Sequence, residues 1–482
     1  MSDFSLLQIL ASLNAVWRQQ PVTLPALTNI QWRADACDAG SVLFFQCFDG
    51  GPSDAEIYQR YLQSSRCAAL VTNRQLACFD QLPDKLIVVV APADWAQVVG
   101  RCCDLCYPLA TERLHFIGVT GTNGKTTTVK YVEAMLLAHE QRVLSIGTLG
   151  LFLDGQRQLE TGFTSPPQIE LRRLLHEYQA RCDVVVMEIS SHALDQARVH
   201  GIPLHNAGWT NFTQDHLDYH HDEVSYFAAK ALILNLIQKD GRLYCSSPAV
   251  AARLQAQQPA VPIELVPALT LPPAAIAAKP FLALEHNRHN YALAIALTNS
   301  LLGENARDDW QHLIAVDGRF ECQTLGNHTI VIDFAHTPDA LETILTAIRH
   351  GFPAARIATV FGCGGDRDRS KRPLMGAAVA RHSDFCVVTS DNPRTEDPAQ
   401  IITDILIGMP TDAIEKHTVI IERAEAISYV FNWLAQRPII ESWVVLIAGK
   451  GHERYIDRNG HKTPYSDQDE VARQVMRLAD KL

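Results

Sequence analysis

Thr120-Gly121-Thr122-Asn123-Gly124-Lys125-Thr126-Thr127-Thr128 joins two glycines to a lysine and a threonine at the spacing a phosphate site needs. Gly121 and Gly124 let backbone N–H groups turn inward onto phosphate oxygens, and a helix starting after them adds the positive end of its dipole. Lys125 can then reach terminal phosphates as a point charge, and the Thr126 hydroxyl can ligate magnesium. The usual first glycine of the GxxxxGK[ST] pattern would fall at position 119, where this chain has Val. A plain turn between strand and helix is the other reading, but it leaves the Lys-Thr pair without a role. Two further stretches carry metal chemistry: Glu188-Ile189-Ser190-Ser191-His192, and Thr210 to Asp218 with His216 inside it. A glutamate and a histidine delivered beside a phosphate loop can complete magnesium coordination around a nucleotide. Glu188 alone would be an ordinary surface carboxylate.

The elements that must position these groups follow from hydrophobic periodicity. Leu114–Val119 reads as a strand running into the glycine loop, and Val129–Ala138 as the helix after it. Further strands are expected at Arg142–Ile146, Asp183–Ile189 and Asn206–Thr210, with a helix at Gln168–Tyr178. Strands alternating with helices imply a parallel sheet covered on both faces, with ligands outside the carboxyl ends of its strands. The region before it, 1 to about 110, reads as a small α/β domain with strands at Ser41–Gln46, Ala68–Thr72 and Leu86–Val90 and helices at Leu6–Arg18 and Asp54–Ser64. The region after it, about 318 to 482, alternates again, with strands at Thr329–Phe334, Arg356–Phe361, Asp384–Thr389 and Trp443–Ala448. Its helices are expected at Pro338–His350, Arg372–Arg381, Pro398–Leu406, Ala424–Ala435 and Gln468–Leu478. Its strand-end loops carry Asp333 to Pro338, Gly362 to Arg369, Ser390 to Arg394 and Gly449 to Glu453. Each could be a turn by its Gly, Pro and Asp content; four at one sheet edge point to a site.

The 482 residues suit about three domains, here 1–110, 111–317 and 318–482. A hydrophobic share of 47% against 20% charged describes a globular chain with ample core. No basic segment followed by an apolar run opens the chain, and no apolar stretch is long enough for a bilayer, so a cytoplasmic protein without membrane insertion is expected. The formal charge of −11, with no basic stripe, argues against nucleic acid as partner. The twelve cysteines are scattered. Cys103 and Cys106 have CxxC spacing but lack a second pair, so packing with Cys102 on a helix is expected rather than a metal site.

The chain resembles the ATP-dependent Mur ligases, the amino-acid-adding enzymes of peptidoglycan precursor synthesis. The resemblance rests on GTNGKTT at 121–127, TSPP at 164–167, EISSHALDQARV at 188–199, TNFTQDHLDYH at 210–220 and YFAAK at 226–230. It continues with DFAHTPDAL at 333–341, FGCGGDRDRSKRPLMG at 361–376, DNPRTEDP at 391–398 and GKGHE at 449–453. It implies an α/β protein of three domains: an N-terminal domain for the UDP-sugar, a central P-loop ATPase domain on a parallel sheet, and a C-terminal Rossmann-like domain for the amino acid. By resemblance the expected reaction makes an acyl phosphate from ATP and a carboxylate, which an amine then attacks. The substrates so implied are UDP-N-acetylmuramoyl dipeptide and meso-diaminopimelate, and the enzyme would work as a monomer.

The same resemblance implies site residues. Gly121, Thr122, Asn123, Gly124, Lys125, Thr126 and Thr127 would hold the phosphates of ATP, with Asn287 and Asn290 beside the adenine, Arg319 near the nucleotide and Asp333 on the ribose. Mg2+ would be held by Thr126, Glu188 and His216, and by Lys230 once carbon dioxide has converted it to a carbamate. Lys125, Glu188, His216, Lys230 and His336 form the expected catalytic group. Thr164, Ser165, Ser190, Gln196 and Arg198, with Arg33, would touch the UDP-sugar substrate. The incoming amino acid would meet Arg367, Asp391, Asn392, Pro393, Arg394, Gly449 and Glu453. Arg394 offers a planar donor fork for the carboxylate that distinguishes diaminopimelate from lysine, and Glu453 could take the distal ammonium. The resemblance departs in the N-terminal domain, where the family's Asp-Ser-Arg turn reads Gln31-Trp32-Arg33 and Phe163 precedes Thr164. Two other readings therefore stay open: a paralogous ligase for another carboxylate, and a nucleotide-binding protein without catalysis.

Overall fold

The computed structural model describes residues 16–19, 27–48, 51–303, 309–410, 417–438 and 440–478. The chain divides into two compact units. The first is Met1–Gly118, Glu140–Ala207 and Ala229–Arg242; the second is Val119–His139, Gly208–Ala228 and Leu243–Leu482.

In the first unit, β1 (Val16–Gln19), β2 (Asn29–Gln31), β3 (Ser41–Phe45), β4 (Ala69–Thr72) and β5 (Leu86–Val89) form a sheet of order β1-β5-β4-β3-β2. β2 to β5 run parallel, and β1 closes the edge antiparallel to β5, with Val16 opposite Val89. This corrects the helix expected over Leu6–Arg18, where Leu6–Ala15 lie outside the described residues. Val16 and Trp17, and Gln19 beyond a bulge at Arg18, pair with β5 instead, because an open edge of backbone donors and acceptors outweighs a weak local preference for helix. The helix expected over Asp54–Ser64 begins as read, with Ser53 accepting from the Glu56 N–H and Glu56 capping the Ser53 N–H in return. It passes at Tyr58–Leu62 into a wider helical turn. Cys102, Cys103 and Cys106 lie on the helix Trp95–Cys106, in a core with Ile30, Val42, Val71 and Val88.

The strands that follow are β6 (His115–Thr120), β7 (Val143–Gly147), β8 (Gly150–Leu153), β9 (Gln156–Leu159), β10 (Val184–Glu188), β11 (Leu204–Trp209), β12 (Ile237–Cys245) and β13 (Ile263–Leu265). In the first unit β10 and β7 are parallel, and β8 and β9 continue the sheet as an antiparallel meander. The parallel expectation holds for β7 and β10; the buried β8 and the exposed edge strand β9 depart from it, because the turns joining β7, β8 and β9 are too short for a crossover. In the second unit the end of β12 pairs parallel with β13, and the Thr210 N–H just past β11 donates to the last carbonyl of β6.

The second unit also holds β14 (Glu321–Leu325), β15 (His328–Asp333), β16 (Arg356–Phe361), β17 (Phe385–Val388), β18 (His417–Val419) and β19 (Trp443–Ala448), in the order β14-β15-β19-β16-β17-β18. All pairs are parallel except β14 with β15. β16 and β19 have the expected limits because all of β19 and all of β16 past the exposed Arg356 are buried on both faces and almost wholly apolar. A hairpin of β20 (Tyr455–Arg458) and β21 (His461–Pro464) follows the last strand-end loop.

Candidate active site

The phosphate loop takes the form its glycines require. Gly121 has φ +139° and Gly124 φ +86°, and a Cβ on either would collide with Thr210 Oγ1 and Asn290 Oδ1 respectively. The loop is fastened to the segment after β11: Asn123 N–H donates to Asn211 Oδ1 at 2.9 Å and Thr122 N–H to the Asn211 carbonyl at 3.1 Å. Lys125 opens the helix Lys125–Ala138 and its Nζ lies over the loop, donating to the carbonyls of Gly121 and Thr122 at 2.9 and 2.8 Å. Thr126 and Thr127 are buried at the helix start.

The loop opens into a cavity of about 410 Å³ lined by Thr126, Thr127, Asn287, Asn290, Arg319 and Asp333 among others. Asn287 and Asn290 are tied to each other and to backbone: Asn287 Nδ2 donates to the Phe281 carbonyl at 2.9 Å, and Asn290 Nδ2 to Asn287 Oδ1 at 3.5 Å. Asp333, at the end of β15, accepts from the N–H groups of Phe320 and Ala335 at 2.8 and 2.7 Å. Burial raises its carboxyl above the usual range, against the pull of Arg319 and those two donors. The Arg319 guanidinium stacks on the Phe334 ring at 4.3 Å.

His216 sits in a left-handed conformation, φ 55°, with its N–H on Asp215 Oδ1 at 2.9 Å and its ring 3.5 Å from the same carboxylate. Burial alone would raise Asp215, but His216, Lys371 and His336 hold it at about 2. His336 Nδ1 is 2.7 Å from the Phe334 carbonyl, and burial together with Lys371 pushes the ring down to about 4, so it is neutral at pH 7. Lys371 was not singled out from the sequence, although its place in Arg369-Ser370-Lys371-Arg372 at a helix start was the available signal.

The loops expected to meet the amino acid come together beside β19. Lys450 is fully buried; its Nζ reaches Asn392 Oδ1 at 3.0 Å, Glu453 Oε2 at 3.1 Å and Asp391 Oδ1 at 3.8 Å. Asn392 Nδ2 donates in turn to Glu453 Oε2 at 2.8 Å. Behind them Arg423, also buried, makes two hydrogen bonds to Asp467 at 2.7 and 2.8 Å and lies 4.0 Å from Asp391. Burial would raise Asp391, but Lys450 and Arg423 keep it below the usual carboxylate range. Arg394 is held by backbone, with φ 51°, its N–H on the Asp457 carbonyl and Nη1 on the Gly365 carbonyl at 2.6 Å. The Pro393 carbonyl abuts Gly365, where a Cβ would collide with it. Arg367 is destabilised as a cation by burial and by Arg394 nearby. Gly449, at φ 118°, donates its N–H to the Asp333 carbonyl and so joins this cluster to the cavity beside the glycine loop.

The first unit gathers a second group. Glu188, buried at the end of β10, accepts from Thr148 N–H at 2.8 Å and from Thr148 Oγ1 at 3.2 Å, and that hydroxyl is 3.0 Å from Thr164 Oγ1. Ser165 Oγ donates to the Glu188 carbonyl and accepts from Ser190 N–H, while Arg198 donates to the Ser165 carbonyl and the Gln196 side chain. Gln196 and Arg198 join Trp32, Arg33 and Phe163 in lining a cavity of about 740 Å³. Arg33 is exposed and paired with Asp35; Trp32 meets Phe163 edge to face at 5.9 Å. Lys230, on the helix Glu223–Ala231, is 1% exposed, so it is not the solvated lysine that its place on a helix would suggest.

Residues 119–263 match the family described as Mur ligase middle domain, and 318–451 that described as Mur ligase, glutamate ligase domain. The chain belongs to the Mur ligase family. Among Mur ligases it is 34% identical to the UDP-N-acetylmuramoyl-L-alanyl-D-glutamate–2,6-diaminopimelate ligase of Nostoc sp., over 98% of this chain and 99% of that one. The ligase of the same name from Geobacillus kaustophilus is also 34% identical, over 93% and 95%. A solved structure under this ligase name superposes with a TM-score of 0.57 at 26% identity, covering 94% of this chain and 95% of that one. The fold likewise matches a MurF of Acinetobacter baumannii, TM-score 0.63 at 16% identity over 98% of both chains. Among the described residues no helix is long and apolar enough to cross a membrane.

Proposed function

We propose that this Mur ligase is the enzyme that joins meso-2,6-diaminopimelate to UDP-N-acetylmuramoyl-L-alanyl-D-glutamate at the expense of ATP, in peptidoglycan precursor synthesis. The observation that carries this reading is the 34% identity that runs the full length of a relative named for that reaction. The three working domains are 1–110 for the UDP-sugar, 111–317 for ATP and 318–482 for the amino acid, in a cytoplasmic monomer.

In this reading the substrate carboxylate takes the γ-phosphoryl group and becomes an acyl phosphate. The amine of diaminopimelate adds to its carbonyl carbon, and the tetrahedral adduct expels phosphate to leave the amide. Little covalent chemistry falls to the protein, so positioning and charge do most of the catalysis. Lys125 and the N–H groups of 121–127 bind and orient the phosphates. His336, neutral at pH 7, adds no second positive charge beside Lys371; pushed down to about 4 it is too weak a base to deprotonate an ammonium, so the amine attacks as the free base and the proton it then releases goes to the departing phosphate. Arg394 and Arg367 recognise the carboxylates of the amino acid, and Thr164, Ser165, Ser190, Gln196, Arg198 and Arg33 the UDP-sugar.

Magnesium takes oxygen ligands of the kind that Glu188 offers in the first unit and Thr126 in the second, while no group of three or more His, Cys, Asp or Glu side chains that could hold a metal ion is gathered among the described residues. When bound, magnesium would neutralise the phosphates' charge. Lys230, buried on its helix, is the residue on which the carbamate would form. A single feature favours a different carboxylate substrate: the first unit's cavity is lined by Trp32 and Phe163, two aromatic rings in contact at its wall.

Phosphate release from ATP tests the proposal. It should require both UDP-N-acetylmuramoyl-L-alanyl-D-glutamate and meso-diaminopimelate. Release with the amino acid but a different carboxylate would favour the aromatic-cavity reading, and release independent of any amino acid would end the ligase proposal.

A further inference from the structure

The segment Asp391-Asn392-Pro393-Arg394 is gripped by a piece of chain to which the reaction assigns no role. The hairpin of β20 and β21 follows Glu453, and among the described residues its two strands pair with no other strand. A two-stranded hairpin of this length is marginal by itself in water and needs something to dock on. Its outer part, residues 458–464, is exposed. Its inner part docks on this segment. The Asp457 N–H donates to Asn392 Oδ1 at 2.9 Å, the Arg394 N–H to the Asp457 carbonyl at 3.0 Å, and the Asn459 N–H to the Arg394 carbonyl at 2.8 Å. Arg394 and Arg458 thereby form a parallel β-bridge. Both main-chain polar groups of Arg394 are engaged by the hairpin. The Tyr455 ring, on its first strand, also meets Lys450 Nζ at 5.7 Å and Lys462 Nζ at 4.2 Å.

The grip matters because of the backbone it holds. Arg394 has φ 51°, a left-handed conformation that a residue with a long side chain keeps only where its surroundings impose it. A right-handed or extended Arg394 would aim its guanidinium elsewhere, away from the Gly365 carbonyl that Nη1 now meets at 2.6 Å. The hairpin is built to keep its own shape. Asn459 and Gly460, at φ 53° and 78°, make the two-residue turn that matches strand twist, and the Gly460 N–H donates to Asp457 Oδ1 at 3.0 Å. Asn459 therefore does two things at once: it holds the turn, and it gives its N–H to Arg394. We infer that the β20–β21 hairpin, through the Asn459 N–H and the Asp457 carbonyl, sets the backbone of Arg394 and so the selectivity for an amino acid with a distal carboxylate. Asn459 is a positioning residue that acts through Arg394.

The inference rests on the reading of Arg394 as the residue that takes the distal carboxylate of diaminopimelate, and the test separates the two. The whole protein is compared with its Asn459→Pro and Asn459→Gly variants. Proline has no N–H and cannot adopt φ 53°, whereas glycine keeps the N–H and adopts it freely. The turn is exposed, so both variants should fold. In Asn459→Pro the Arg394 amide should exchange its hydrogen at least about tenfold faster, and kcat/KM for diaminopimelate should fall by about tenfold or more, through KM. The kcat/KM for L-lysine and the KM for ATP should stay within about threefold. Asn459→Gly should keep the wild-type ratio of diaminopimelate to lysine use to within about threefold. An unchanged ratio in Asn459→Pro, or the same loss in Asn459→Gly, overturns the role of the hairpin while leaving that of Arg394 standing. A wild type that does not prefer diaminopimelate to lysine overturns both.

Discussion

Replacing Lys450 by Met keeps the buried stem and removes only the ammonium. Its Nζ serves Asn392, Glu453 and Asp391, three residues proposed for the amino-acid site, at 3.0, 3.1 and 3.8 Å. Breaking a buried ion pair from one side costs about 3–5 kcal/mol. The lower end applies here, because each acceptor keeps another donor: Asn392 Oδ1 the Asp457 N–H, Glu453 the Asn392 amide, and Asp391 the Asn392 N–H with Arg423 behind it. A loss of about 3 kcal/mol corresponds to a roughly hundredfold easier local opening. Hydrogen exchange should therefore quicken by about that factor at Asn392, Arg394 and Glu453, whose N–H groups bond within these loops. The KM for diaminopimelate should rise by more than about tenfold while the KM for ATP changes little. The reasoning is refuted if exchange quickens uniformly through β14 to β19, or if both KM values rise together. Either would mean that Lys450 supports the whole second sheet rather than these loops.

Gly124→Ala should weaken ATP binding by at least about tenfold in calorimetry, because φ +86° is strained for alanine and its Cβ meets Asn290. Unchanged affinity would mean that the loop does not hold phosphate in this shape. Lys230→Ala should lose most activity and regain part of it when short carboxylic acids are supplied, as expected if a carbamate carries the function; a variant with normal activity would remove Lys230 from the site. His115 and His205 stack at 4.1 Å, and burial depresses both, His115 to about 4. A histidine with a depressed folded-state pKa contributes stability above its ordinary value near 6.5 and loses it as pH falls toward 4. Thermal unfolding should move down over that interval, and less steeply in His115→Leu; parallel pH profiles would contradict the assignment.

The sequence made the phosphate loop visible because a backbone that wraps phosphate must use glycine, and Gly121 and Gly124 occupy the two positions where a Cβ collides. Four strands of the third sheet were legible, β15, β16, β17 and β19, because their middles are buried on both faces and mostly apolar, whereas the outer strands β14 and β18, half exposed, were not. β1 was not legible, because an edge strand is decided by the partner it finds, here β5, more than 65 residues on in the chain. The pairing of Arg423 with Asp467 and the convergence of Lys450 on Asn392 were equally hidden, being long-range contacts that leave no local pattern. His286 and His289 stood in plain view beside the two asparagines. What the sequence could not reveal is that the asparagine amides are engaged while the Nδ1 atoms of the two histidines are buried without a partner.

The central claim is the amide made, and mass analysis of the product tests it most directly. The protein is incubated with ATP, UDP-N-acetylmuramoyl-L-alanyl-D-glutamate and an equimolar mixture of meso-diaminopimelate and L-lysine. The expected product is the UDP-muramoyl tripeptide carrying diaminopimelate, with the lysine adduct in minor amount and the preference lost in Arg394→Ala. A product carrying lysine in preference, or ATP turnover with no adduct of either amino acid, would contradict the account.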